Sequence, residues 1–122
     1  MILTLPSFLV RRIVRKGALR ELNGIKEIAL TGKIIRRTRS TAVLFDSFSG
    51  ISIQTNHPVL QKEIDKGIEN NYSVHVTCDV ERIPKARLRV KSVRKCTFYE
   101  EMYRTIEAIE FWKKVQFQKQ PK

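Results

Sequence analysis

Residues 25–80, IKEIALTGKIIRRTRSTAVLFDSFSGISIQTNHPVLQKEIDKGIENNYSVHVTCDV, decide the fold. Over 25–38, Ile28, Leu30 and Ile34 share one period-two register with Gly32 among them, the pattern of a long strand. A glycine inside a strand marks a bulge or a sharp bend, and a long bent first strand is what a small barrel needs to join both of its sheets. Residues 41–46 are β-branched and apolar, Asp46-Ser47-Phe48-Ser49-Gly50 carries turn chemistry, and Ile51 and Ile53 alternate over 51–55. These two segments read as a hairpin. A helix follows: Asn56 is placed to cap it, Pro58 falls near its first turn, and Leu60, Ile64 and Ile68 recur every four residues. Asn70-Asn71 ends it, and Tyr72, Val74, Val76, Cys78 and Val80 then alternate with polar residues as a half-buried strand.

Downstream, Ile83-Pro84-Lys85 turns the chain, and Leu88 and Val90 alternate with Arg87, Arg89 and Lys91 in a fifth strand. Residues 97–115 become helical, with Tyr99, Met102, Ile106 and Ile109 spaced for one face. Upstream, an apolar opening, a basic cluster (Arg11, Arg12, Arg15, Lys16) and the Asn23-Gly24 turn read as an arm leading into the domain. The expected organisation is a basic arm over 1–23, a barrel over 24–96 and a C-terminal amphipathic helix over 97–122. Three strands, a helix and two strands is the order of a mainly β, five-stranded OB-fold barrel, with the helix between strands 3 and 4. An SH3-like barrel lacks that helix, and a ferredoxin-like fold requires one after the first strand.

The chain has 122 residues, room for one ordinary domain, and 42% of them are hydrophobic, enough for a compact core. Lys and Arg number 24 against 12 Asp and Glu, a formal net charge of +12, which favours a polyanion as partner. Cys78 and Cys96 make neither a disulfide framework nor a zinc-binding pair and read as buried or half-buried thiols in a reducing compartment. The apolar start is interrupted by Pro6 and its positive charge comes after the apolar run, unlike a signal peptide. No apolar run approaches the roughly 20 residues of a membrane helix, so the expectation is a soluble, intracellular protein.

No nucleophile with a base, no paired carboxylates, no metal-ligand cluster and no Gly-rich phosphate loop stands out, so neither catalysis, a cofactor, a metal nor a small-molecule substrate is expected. The basic residues are more productive. Arg87, Arg89 and Lys91 project from one side of their strand, and Arg36, Arg37 and Arg39 cluster at a turn that borders the ligand groove of OB domains. A positive groove with aromatic platforms is how such folds hold single strands. Phe48, in the turn, either stacks on a base or folds back onto the core, whereas Phe45 and Tyr72 are assigned to the core. Tyr103, Phe111, Trp112 and Val115 add to the terminal helix's stripe and spread around its circumference, so part of that helix is expected to face another protein.

The run 23–54, with an apolar-rich first strand, a central glycine and an apolar–Asp–turn–apolar hairpin, resembles the OB domain of the middle subunits of replication protein A and of the CST telomere complex, with the small OB subunits of the same complexes as the second choice. Residues 88–112 resemble their final strand running into a C-terminal helix, and the likeness covers roughly 8–115. The resemblance implies a subunit that joins a second small OB protein through its terminal helix and helps to hold single-stranded DNA. On that basis Met102, Ile106, Ile109 and Trp112 are partner-facing or bundle residues, and Tyr103 is counted with them as partner-binding. The compartment implied is the nucleus in a eukaryote and the cytoplasm otherwise. An assembly subunit without DNA affinity and an RNA-binding OB module are the competing expectations.

Overall fold

The computed structural model describes residues 3–10, 26–46, 48–81 and 87–119, with side chains described through 114. Six strands, β1 (Leu3–Thr4), β2 (Glu27–Thr38), β3 (Thr41–Phe45), β4 (Gly50–Gln54), β5 (Val74–Glu81) and β6 (Arg87–Lys95), form one sheet, with helix α1 (Pro58–Asn70) between β4 and β5 and helix α2 (Phe98–Lys119) after β6. The strand order is β1-β2-β3-β4-β6-β5, and β2 also pairs with β5, so five of the strands close into a ring. The fold is therefore mainly β with helices added, as the periodicities suggested.

Gly32 is the corner of the ring. Residues 27–32 of β2 pair antiparallel with β5, ending at Gly32↔Val74, and the pairing with β3 begins at Lys33↔Phe45. The chain passes so close to β3 here that a Cβ on Gly32 would lie 2.3 Å from the Phe45 carbonyl oxygen. A register irregularity between Ile34 and Arg36 continues the bend.

Ile28, Leu30 and Ile34 of β2, Ala42 and Leu44 of β3, Ile51 and Ile53 of β4, Val74, Val76 and Cys78 of β5 and Leu88 and Val90 of β6 point into one apolar cluster, to which α1 contributes Ile64. The alternation read from the sequence holds at each of these positions. Phe45 departs from its assignment. Leu44 faces the core, so its neighbour faces outward, and Phe45 is 50% exposed. The α1 N-cap is His57 rather than Asn56, and it makes no side-chain cap bond. Asn71 closes α1 in the left-handed region at φ 53°, as a C-terminal Asn does.

The arm read over 1–23 is not an appendage where it is described. β1 pairs in parallel with β2, a helical turn follows at residues 7–10, and Leu5, Leu9 and Val10 join the buried cluster. An apolar segment beside an open strand edge has more to gain from burial than from solvent. Residues 11–23, with the basic cluster, lie outside the described residues, as does the turn at 83–85.

A candidate nucleic-acid interface

Asp46 and Arg37 fix the two turns of the candidate site. Asp46 is buried where β3 ends, and its carboxylate accepts the Ser7 N–H (2.9 Å), the Ser7 hydroxyl (2.8 Å) and the backbone N–H groups of Phe48 (2.8 Å) and Ser49 (2.9 Å). One side chain thus shapes the β3–β4 turn and pins the N-terminal segment beneath it. At the β2–β3 turn, Arg37 donates to Asp65 of α1 through Nε (2.6 Å) and Nη2 (2.8 Å), and through Nη1 to the Arg39 carbonyl (2.7 Å). Gln61 Nε2 donates to the same carbonyl at 3.1 Å. These bonds hold Arg39 at φ 40°, a conformation few non-glycine residues adopt. The Arg37 guanidinium, by hydrogen bonding, keeps the Asp65 carboxyl below its ordinary range. Arg37 therefore shapes the turn, with its guanidinium bonded to Asp65 and the Arg39 carbonyl.

Between these turns the outer face of β2 and β3 carries an open platform. Phe45 stands directly across from Lys33 on one side and from Gly50 on the other. Because Gly50 has no side chain, the ring has only ordinary contact distances beneath it, with the Phe45 Cδ2 3.8 Å from where a Cβ would sit. Ile35 is also exposed, at 57%. Lys33, Arg36 and Arg39 are exposed, and no acidic group among the described residues forms an ion pair with them. An aromatic face beside unpaired cations provides both elements of single-strand recognition, stacking and phosphate attraction.

The stripe on β6 is different. Arg87 Nε contacts Glu81 at 2.6 Å, Arg89 Nε contacts the same carboxylate at 3.0 Å, and Lys91 bonds Glu27 and lies 3.7 Å from Asp79. The β5–β6 register places Glu81 opposite Arg87 and Asp79 opposite Arg89, so the basic row meets an acidic row across the ladder. Hydrogen bonding from Arg87 lowers the Glu81 pKa, and hydrogen bonding to Glu27 raises that of Lys91. This face is a mixed-charge ladder rather than a positive groove. The acidic complement was present in the sequence as Asp79 and Glu81, two residues apart on the preceding strand.

Phe48 folds back. Its ring meets Phe8 edge-on at 5.7 Å between centroids, and Phe8 in turn meets Trp112 at 5.0 Å. Trp112, expected to face a partner, thus packs on its own chain, where the 7–10 turn gives it an apolar seat. Phe111 also packs against the core, and Ile109 is half-buried. The Val115 side chain lies outside the described residues. Tyr72 is half-buried against the core with the Lys95 ammonium 5.1 Å above its ring.

The first half of α2 is turned with its apolar side outward. Thr97 caps it, accepting the Glu100 N–H at 3.1 Å. Phe98, Tyr99, Met102, Tyr103 and Ile106 are all exposed, whereas its inward groups are polar. Glu101 accepts from Ser73, Glu100 from Arg94, and Arg104 lies 3.2 Å from Glu107. The Arg94 bonds hold the Glu100 pKa at about 2. Between these groups the His75 imidazole, bonded through Nδ1 to Thr31 Oγ1 at 2.9 Å, is pushed below its ordinary pKa first by burial and then by Arg94 and Arg104. Two buried polar atoms of the layer, Thr4 Oγ1 and Arg104 Nε, find no hydrogen-bond partner among the described residues. They line a small cleft with Thr31, Asp46 and Thr105.

Burial raises the thiol pKa of Cys78 to about 12 and of Cys96 to about 11, so neither is a ready nucleophile or ligand. Among the described residues no group of three His, Cys, Asp or Glu side chains is placed to hold a metal ion, and no helix is long and apolar enough to cross a membrane.

No family model matches the sequence, and no curated protein matches it. Among solved structures, that of the hypothetical protein YgiW from E. coli is similar with a TM-score of 0.43 at 19% identity, over 64% of this chain and 86% of that one.

Proposed function

We propose that the five-stranded ring is an OB-type barrel and that the chain is a single-strand nucleic-acid-binding subunit, with DNA as the favoured strand. The observation that carries the reading is the exposed Phe45 ring on the outer face of β2 and β3, with Lys33 across from it, Arg36 further along β2 and Arg39 at the β2–β3 turn, cations that form no ion pair with an acidic group among the described residues. In OB domains ligands lie across this part of the sheet, between the first turn and the turn joining the last two strands. The element order, with α1 between β4 and β5, and the Gly32 corner support the barrel description. A telomeric or replicative setting follows from the resemblance of residues 23–54 and 88–112 to the middle subunits of CST and replication protein A, and it remains part of the proposal.

The test is fluorescence anisotropy with labelled single-stranded DNA, duplex DNA and RNA at two salt concentrations. Single strands are expected to bind more tightly than duplex, with affinity falling as salt rises. Phe45→Ala is expected to weaken binding by about 5- to 150-fold, the loss of one stacked base at roughly 1–3 kcal/mol. Because the ring is half-exposed, the variant's unfolding midpoint should hardly move. Equal affinity for duplex, or full affinity in Phe45→Ala, would overturn the reading. The paired ladder on β6 and the outward apolar face of α2 favour a second reading, an assembly subunit; absence of binding to all three probes would select it.

A further inference from the structure

We infer that the outward face of α2 is the seam of a homodimer in which the helices of two copies pack antiparallel. The inference deepens the reading of α2 as a contact surface and does not depend on which nucleic acid binds. A helix that turns Glu100, Glu101, Arg104 and Thr105 inward and Tyr99, Met102, Tyr103 and Ile106 outward is oriented against the usual hydrophobic preference. It reaches that preference only when a second apolar surface covers it.

The spacing identifies that surface as a second copy. Tyr99, Met102, Ile106 and Ile109 lie three, four and three residues apart, the repeat of a two-helix seam. The seam is also palindromic about Arg104. When two copies run antiparallel, Tyr99 of one meets Ile109 of the other and Met102 meets Ile106, so the four seam positions pair among themselves while Phe98 and Tyr103 flank them. A two-fold interface requires such self-complementarity.

The area suffices. Phe98, Tyr99, Met102, Tyr103 and Ile106 are 71%, 82%, 48%, 62% and 55% exposed. At roughly 150–250 Å² for side chains of this size, that is about 600 Å² per copy. Two copies bury about 1,200 Å², the lower bound of a specific interface. Opposing this is the +12 charge on each copy, which repels. Added salt screens that repulsion, so dimerisation strengthens with salt while nucleic-acid binding weakens. The opposite salt dependences keep the two readings apart.

The experiment is analytical ultracentrifugation of the full chain over a range of concentrations at low and high salt. A mass approaching twice 14.3 kDa, reached at lower protein concentration in high salt, is the expected result. Ile106→Glu, at an exposed position, should abolish the dimer with an unchanged circular-dichroism spectrum and unfolding midpoint. Register is read by mixing Tyr99→Cys with Ile109→Cys chains: disulfide cross-links between the two variants are expected, with none in either alone. A monomer at every concentration, a dimer that survives Ile106→Glu, or cross-linking of Tyr99→Cys with itself overturns the inference. If the monomer still binds single strands, only the dimer is lost; a dimer without binding overturns only the proposed function.

Discussion

Gly32→Ala tests the element on which the rest of the site depends. The added methyl would sit 2.3 Å from the Phe45 carbonyl oxygen, 2.9 Å from its carbon and 3.0 Å from Asp46 Cα, all backbone atoms. No side chain can swing aside to relieve these contacts, so β2 or β3 must move at the point where β2 leaves β5 for β3. Overpacking a well-packed site costs roughly 1–3 kcal/mol, and a backbone clash belongs at the upper end, about 3 kcal/mol. That is a large part of a domain's total of roughly 5–15 kcal/mol. It corresponds to a fall of about 10 °C in Tm for a chain of this size. Gly50→Ala is the control. Its methyl would meet Val43 Cγ1 at 3.5 Å and Phe45 Cδ2 at 3.8 Å, ordinary contacts. Relief of glycine's backbone entropy, roughly 0.5–1 kcal/mol, should leave that variant neutral or slightly stabilised. Urea unfolding followed by circular dichroism measures both. A Gly32→Ala loss below about 1 kcal/mol, less than the mildest overpacking, would refute the corner assignment.

Asp46→Ala removes the acceptor shared by Ser7, Phe48 and Ser49, leaving the Ser7 N–H without its partner beneath the turn. A loss of about 2–4 kcal/mol is expected in the same unfolding experiment, since an orphaned buried donor costs roughly 1–3 kcal/mol and two turn bonds go with it. His75 predicts a pH dependence. Because burial holds its folded-state pKa below the ordinary 6.5, the unfolded chain takes up the proton first. Stability is therefore full above that value and falls as pH drops below it toward the folded-state pKa. Glu100, lowered from an ordinary 4.5 to about 2, adds a loss of the same sign only as pH falls through the ordinary carboxylate range, so the His75 slope is read at mildly acidic pH. His75→Gln should flatten it, as urea titrations at neutral and mildly acidic pH would register; an unchanged slope would assign it elsewhere.

Local periodicity made the strands, α1 and the hairpin legible, because period two and period 3.6 are imposed by backbone geometry residue by residue. The same alternation that put Leu44 inside required Phe45 outside, and reading Phe45 as core gave its hydrophobicity priority over its register. Gly32 was recognisable as a bend, but only the crossing of β2 past the Phe45 carbonyl explains why no side chain fits there. The N-terminal segment joins the domain through β1 and Ser7, contacts with residues 28, 29 and 46 that a window of neighbouring residues does not contain. Charge is the clearest division. Composition set the +12, whereas only tertiary pairing decided that Arg37 meets Asp65, Arg87 and Arg89 meet Glu81, and Lys91 meets Glu27 and Asp79, while Lys33, Arg36 and Arg39 meet no acid among the described residues. For α2 the sequence determined a helix with an apolar stripe. Which way that stripe points was decided by the rotation that seats Phe111 and Trp112 on the domain and turns Tyr99, Met102 and Ile106 to solvent. A helical period is a property of one segment, but its orientation depends on the surface it packs against, and that surface forms only when distant strands close the ring.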